Sequence, residues 1–485
     1  MIEFLKDHWW TLAIAVNYTL ALIAVVTILF KSINPTKTLT YIIVLLVFPF
    51  LGLIVYYLFG QEYRKNKIFN KKDILNNQLI KSIEDKLEIK PNALKYYEKE
   101  AEEDQIRLVQ LLQKNDKSPL TQYNDVEIII NGENKFEKLF KDLEAATQHI
   151  HVEYYILKDD KIGTRFLELL LKKADEGVQV KLSYDDVGSK ISSKMKRRLT
   201  QSSIEHHPFM PVLFPKFTGK MNYRDHRKIV IIDGEIGYVG GINISDTYVN
   251  YPENTKYWRD THLRIVGEAV FTLQVQFLTN WNFVSDKKIE INKTYFPKNK
   301  VEKITPIQIA ASGPDTDWAN IMEAIFFSIV TAEKYVYIAT PYFIPNDQII
   351  TAMQVASKSG VDVRIMIPDK SDSWIAQHAT NSYLEQLFDA NVSVYRYKKG
   401  FTHAKTMVID DVFTTIGTCN MDYRSFNINF EINALIYSKE QALKAKQMYL
   451  NDLDDSLCMD YDQWKNRGKL ERLKEAYCRL WAPLL

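Results

Sequence analysis

Two long stretches near the start of the chain carry no charged residue: Trp9 to Phe30 over 22 positions and Leu39 to Phe59 over 21. A bilayer core needs about 20 apolar residues in a helix, so each run is long enough to span. Trp9, Trp10, Tyr56 and Tyr57 lie near the ends of these runs, where aromatic rings suit the headgroup layer. The length of the first run, the lack of a small-residue cleavage site and the second run close behind argue against a cleaved leader. The pattern therefore predicts a two-helix transmembrane hairpin over residues 1–60. Its connector holds Lys31 and Lys37, whereas Arg64, Lys65, Lys67, Lys71 and Lys72 crowd the exit of the second helix. The positive-inside bias then puts everything after Phe59 in the cytoplasm.

Residues 61–124 are rich in Lys, Glu, Asn and Gln, with helical periodicity around Ile106 to Leu112, and are expected to form a solvated spacer. From Asp125 short β runs alternate with helical segments, which predicts an α/β fold. That order occurs twice. "VEIII" (Val126 to Ile130), a helix through Phe136 to Ala146, "HIHVEYYIL", a helix through Phe166 to Ala174, Gly177 and "VQVKLSYDD" make the first copy. "IQIAASGPD", a helix through Ile321 to Ala332, "KYVYIATPYFIP", a helix through Ile349 to Ala356, Gly360 and "VDVRIMIPD" make the second. Each copy then reaches a histidine strand, "HRKIVIIDGEIGYVGGIN" from His226 and "HAKTMVIDDVFTTIGTCN" from His403. His, Lys, Asp, Gly240/Gly417 and Asn243/Asn420 recur at one offset of 177 residues. Five positions at a fixed offset in the same order indicate duplication. Two lobes in pseudo-twofold arrangement are expected, at 125–295 and 296–485.

Composition narrows the classes. With 485 residues the chain exceeds one ordinary core. A net charge of +2 provides no bulk field for nucleic acid, and none is expected as a partner. Cys419, Cys458 and Cys478 form no CxxC pair, so neither a disulfide framework nor a zinc cluster is expected, and a reducing compartment fits.

On a strand, residues i and i+2 share a face, so His226 projects with Lys228 and His403 with Lys405. Asp233 and Asp410 fall where each strand meets its turn. On an edge strand, such residues are ordinary; two matching copies are harder to dismiss. A neutral imidazole is a nucleophile near pH 7, and a second, protonated imidazole can donate to a leaving oxygen. Lys228 and Lys405 add positive charge, and Asn243 and Asn420 amide donors, all suited to phosphoryl oxygens. A nucleophilic histidine also needs a carboxylate behind its other nitrogen. Asp260, 34 residues after His226, and Glu431, 28 after His403, suit that part.

The doubled HxKxxxxD motif with trailing Gly and Asn resembles that of the phospholipase D superfamily, over roughly residues 125–485. More narrowly, the chain resembles the bacterial cardiolipin synthases in "FPFLGLIVYYLFG", "YDDVGS", "NYRDHRK", "SGPD", "TPYFIP", "NMDYRSFNINFE" and "RLWAPLL". The resemblance implies two mixed α/β lobes packed face to face around one site, a phosphohistidine intermediate, and no metal or other cofactor. It implies transfer of a phosphatidyl group from one phosphatidylglycerol to another, giving cardiolipin and glycerol at the bacterial cell membrane. His226, Lys228, Asp233, His403, Lys405 and Asp410 would then be catalytic. Superfamily likeness favours His226 as nucleophile and His403 as acid/base, although the two copies are symmetric in sequence and do not themselves distinguish them. Hydrolysis to phosphatidic acid, a tethered nuclease and a non-catalytic scaffold are the other classes. The hairpin and the lack of a basic stripe count against a nuclease, and two intact His/Lys pairs against a scaffold.

Three further features have ordinary readings. The run His206 to Phe217 could dip into a bilayer or cover the lobe as a packed loop. Leu470, Leu473, Tyr477, Leu480 and Leu484 recur at helical spacing among Lys469, Arg472, Lys474 and Arg479. They predict an amphipathic helix docked on the second lobe in preference to one on a membrane surface. His149 and His151 match no motif and are read as structural.

Overall fold

The computed structural model describes residues 8–30, 35–48, 50–53, 103–116, 118–211, 223–254, 256–285, 289, 292–316 and 318–482. The chain divides into a small N-terminal unit and a large one that holds all described residues from Glu103 onward. In the small unit, Trp9–Leu29 is a helix of 21 residues, long and apolar enough to cross a membrane. Pro35–Val47 is a helix of 13 residues, short of that length, and the chain is helical again at residues 50–53. The two helices pack through Ala21, Ala24, Ile28 and Leu45. The rest of the second apolar run lies outside the described residues.

In the large unit the duplication is visible strand by strand. The first lobe contributes β1 (Thr121–Ile130), β2 (His149–Tyr154), β3 (Gln179–Asp185), β4 (Glu205–Phe209), β5 (Lys228–Ile232), β6 (Ile236–Gly240), β7 (Tyr257–Arg259) and β8 (Thr261–Gly267). The second contributes β9 (Ile304–Ser312), β10 (Tyr335–Ala339), β11 (Phe343–Ile344), β12 (Asp362–Pro368), β13 (Ser393–Tyr397), β14 (Gly400–Thr402), β15 (Thr406–Ile409), β16 (Phe413–Gly417), β17 (Met421–Asp422), β18 (Glu431–Ile436) and β19 (Ser456–Cys458). The first lobe runs β4-β3-β2-β5-β6-β8-β1 and the second β13-β12-β10-β15-β16-β18-β9, the same order element for element. β1 and β9 pair antiparallel, which joins both lobes in one 15-stranded sheet with β19 at the far edge.

The lobes also meet face to face. Ile229, Ile231, Val239, Leu263 and Ile265 of the first share a core with Ile307, Ile309, Ile416, Ile432 and Ile436 of the second. Alternation along β5 explains how: Ile229 and Ile231 enter this shared core, while Val230 and Ile232 enter the first lobe's own core. The "IVII" run is therefore buried on both faces. Some flanking helices start at side-chain caps, as where Asp160 accepts from Gly163 N and Asn346 from Ile349 N.

Three readings of the sequence change. The supposed spacer ends in a helix, Glu103–Asp116, that belongs to the second lobe: Leu108, Val109 and Leu112 are buried with Ile321, Ile325 and Ile329. Gln308 Nε2 also donates to the Val109 carbonyl. Its periodicity reflected burial, and β1 starts at Thr121, inside the stretch read as spacer. Second, the described part of the His206–Phe217 run includes β4, parallel to β3, with Phe209 buried against Phe283 and Phe430; residues 212–217 lie outside the described residues. Third, helix Lys469–Arg479 docks on helix Trp374–Phe388, but through Glu475 and Cys478 and not through its leucines. Leu484 lies outside the described residues.

Replacing Leu112 by Ala tests the first change. A docked helix loses about 2–5 kcal/mol on such a truncation, and the melting temperature of the purified protein should fall accordingly. A solvated spacer would show no shift.

Candidate active site

His226 and Lys228 enter β5, and His403 and Lys405 enter β15, at the ends of those strands that face the opposite lobe. The backbone sets this up: His226 N donates to the Phe430 carbonyl, His403 N to the Arg259 carbonyl, and β7 pairs parallel with β14 across the lobes. All four side chains are buried. Lys228 Nζ donates to the His226 carbonyl (2.6 Å), and Lys405 Nζ donates to that of His403 (2.5 Å).

The carboxylates cross over. Glu431, in the second lobe, holds Nδ1 of His226 at 2.9 Å from both its oxygens. Asp260, in the first lobe, holds Nδ1 of His403 at 2.6 Å. Sequence order had put each acid behind the histidine it follows, and the structure reverses the pairing. A carboxylate at Nδ1 selects the tautomer protonated there and leaves Nε2 as the reactive nitrogen.

Burial governs the electrostatics. It holds both imidazoles down to about 4, with Lys228 and Lys405 adding to the depression and the paired carboxylates opposing it. Burial likewise lowers Lys228 to about 7, where Lys405 adds to the effect, and Lys405 to about 8. Burial pushes the Glu431 carboxyl upward, but His226, Lys228 and Thr418 outweigh it and leave it below the ordinary range. Each lysine acts on the histidine of the other lobe, so the groups form one electrostatic unit. Such an arrangement could hold an anion between two nucleophile-capable rings.

Asp233 and Asp410 are not part of it. They end β5 and β15, roughly 16 Å along the strand from the lysines at about 3.3 Å per residue. Each takes a left-handed conformation with φ 53°. Asp233 accepts from the backbone N–H of Thr147, Gln148 and His149, and Asp410 from those of Glu333, Lys334 and Tyr335. Their place is structural, tying each histidine strand to the neighbouring β2 or β10. Asn243 accepts from Ile156 N and donates to the Tyr248 hydroxyl, whose ring lies 5.7 Å from that of His403. Asn420 Nδ2 donates to Asp422, while its buried Oδ1 has no hydrogen-bond partner. His149 and His151 are buried on β2 against Gln274.

The copies differ where they touch the acids. Thr418 donates its hydroxyl to Glu431 Oε2 at 2.5 Å. Its counterpart is Gly241, where a Cβ would come within 2.1 Å of Asp260 Oδ1. Several neighbours escaped the sequence reading. Tyr155 stands 4.8 Å from His226, and Trp258 5.4 Å from His403, ring to ring. Asp185 accepts from Arg224 and from the N–H of Val187, Gly188 and Asp225, and burial raises it to about 6. The stretches "YDDVGS" and "NYRDHRK" contained the latter signal, but their contact was not readable.

A family model described as cardiolipin synthase, PLD-like domain matches residues 139–269 and again 326–453. The chain belongs to the cardiolipin synthase family of the phospholipase D superfamily. A second model, phospholipase D-nuclease N-terminal, matches residues 19–61. Together with the apolar helix Trp9–Leu29, it makes this a membrane-associated chain. Cardiolipin synthases of Alkalihalophilus pseudofirmus (40% identical, covering 99% of this chain and 95% of the relative) and Halalkalibacterium halodurans (39%, 98% and 95%) are similar over nearly the full length. The fold resembles that of phosphatidylserine synthase from Haemophilus influenzae, with a TM-score of 0.59 at 14% identity over 78% of this chain and all of that one.

Asp410→Ala separates scaffold from chemistry. Loss of the three hydrogen bonds it accepts from the backbone of Glu333, Lys334 and Tyr335 should cost about 1–3 kcal/mol, read as a lower melting temperature. Turnover per folded molecule well below that temperature should stay within a few-fold of the parent; its abolition would place Asp410 in the chemistry.

Proposed function

We propose that this chain transfers a phosphatidyl group between two phosphatidylglycerol molecules through a phosphohistidine. The two crossed histidine–carboxylate pairs around two buried lysines are the observation that supports it, since they supply a nucleophile, an acid and an anion nest at one place. In the first step, Nε2 of His226 attacks the phosphorus, the bond to the glycerol oxygen breaks, and His403 gives that oxygen a proton. In the second, the hydroxyl of another phosphatidylglycerol returns a proton to His403 as its oxygen attacks phosphorus. The P–N bond then breaks, cardiolipin leaves, and both rings return to their starting state. Glu431 and Asp260 keep each ring's Nδ1 protonated and stabilise the imidazolium forms. Lys228 and Lys405 offset charge on the phosphoryl oxygens. Assignment of the nucleophile to His226 rests on superfamily likeness; the Thr418–Glu431 bond, found only behind His226, distinguishes the two rings.

A bound phosphodiester also solves a protonation problem. With both imidazoles held near 4, the acid needs a proton, and a neighbouring anion favours the charged ring. Proton uptake with substrate follows.

The membrane part of the reading is a hairpin over residues 1–60 crossing the bacterial membrane twice, with both lobes, divided near residue 295, in the cytoplasm. The uncharged second run and the basic cluster from Arg64 to Lys72 support it.

Purified protein given only phosphatidylglycerol in mixed micelles should yield cardiolipin and glycerol by mass spectrometry; phosphatidic acid as sole product would refute transfer. The pH profile has a determined sign. Lysines at about 7 and 8 lose their charge as pH rises, and proton uptake becomes harder in the same direction. Hence kcat/KM should fall with rising pH, most steeply above pH 7 to 8. A flat or rising profile between those values and pH 9 contradicts the assignment.

A further inference from the structure

Helix Lys469–Arg479 turns an unusual face to solvent. Its inner side is held by Glu475, which accepts from Arg467 Nε, by buried Cys478, and by Arg479 stacked on Tyr383. The opposite side carries Leu470, Leu473, Tyr477, Leu480 and Trp481, between 40% and 76% exposed. At about 100° per residue these five fall in one stripe. Lys469 and Arg472 lie along one border of the stripe, and Lys474, ion-paired with Glu471, along the other. Leaving such apolar side chains in water forgoes the stabilisation that burial would give them. The supporting helix Trp374–Phe388 exposes Trp374 and Ile375 at its N-terminal end. Just before them Asp372 accepts the Tyr342 hydroxyl and acts electrostatically on Lys405, so this end lies near the histidine–lysine cluster.

We propose that helix Lys469–Arg479 lies in the headgroup layer of an anionic bilayer, apolar stripe toward the acyl chains and cationic borders at the phosphates. The geometry is that of an interfacial amphipathic helix, with Lys and Arg stems reaching to the phosphate level. A second copy of the chain is a poorer occupant, because a twofold contact through this stripe would bring two cationic borders together. The inference rests on the lipid-substrate reading for its purpose, since it holds the mouth of the site against the surface that contains the substrate.

The test uses the full chain carrying Cys458→Ser, which removes the exposed thiol while Cys419 and Cys478 stay buried. An environment-sensitive fluorophore is placed at Leu473→Cys, or at Leu443→Cys as an exposed control on another helix. The protein is reconstituted in phosphatidylcholine vesicles with and without phosphatidylglycerol. At 473 the emission should shift to the blue and be quenched by nitroxide-labelled acyl chains, more so with phosphatidylglycerol present; at 443 it should be quenched by aqueous iodide. Iodide quenching at 473 equal to that at 443 overturns the proposal. Blue-shifted emission without lipid quenching also overturns it, because protein then covers the stripe. Turnover does not enter this readout, so a failure here is distinct from a failure of cardiolipin formation.

Discussion

Each catalytic histidine candidate is held by a carboxylate from the other lobe, and this exchange constrains everything around it. The His226–Glu431 and His403–Asp260 bonds exist only when the two lobes are docked, so neither lobe can complete a site alone. The shared core of Ile229, Ile231, Ile416 and Ile432, the β1–β9 pairing and the β7–β14 bridge supply the docking. Packing energy from the interior is thereby converted into the orientation of two imidazole rings.

Burial gives the site its electrostatic character. Two ammonium groups and two carboxylates lie in a region that penalises all of them, and the lysines respond by dropping toward neutrality. On the proposed function, a bound phosphodiester would favour protonated lysines and a protonated imidazole, so substrate and proton uptake would go together.

Much of this was legible in the chain. The fixed 177-residue offset of His, Lys, Asp, Gly and Asn disclosed two lobes, and the i, i+2 spacing placed His226 beside Lys228. Pairing of Asp260 and Glu431 was not legible, because chain order says nothing about which lobe an acid faces after docking. Asp233 and Asp410 misled for a different reason: a motif position fixed in both copies marked a strand tie, where three N–H groups need an acceptor. The helix Glu103–Asp116 was hidden by its polar neighbours, although Leu108, Val109 and Leu112 carried the signal of a buried face. Tyr155 and Trp258 reach the rings from strands and loops whose proximity only the fold creates.

The central claim is that two histidines, one from each lobe, serve a single site. Replacing His226 and His403 by Ala one at a time, with folding checked by circular dichroism, tests it most directly. Each variant should lose about a thousandfold or more in turnover of phosphatidylglycerol, because residues acting as one unit fail together. Retention of roughly half the parent turnover in either variant, as two independent lobes would give, contradicts the account.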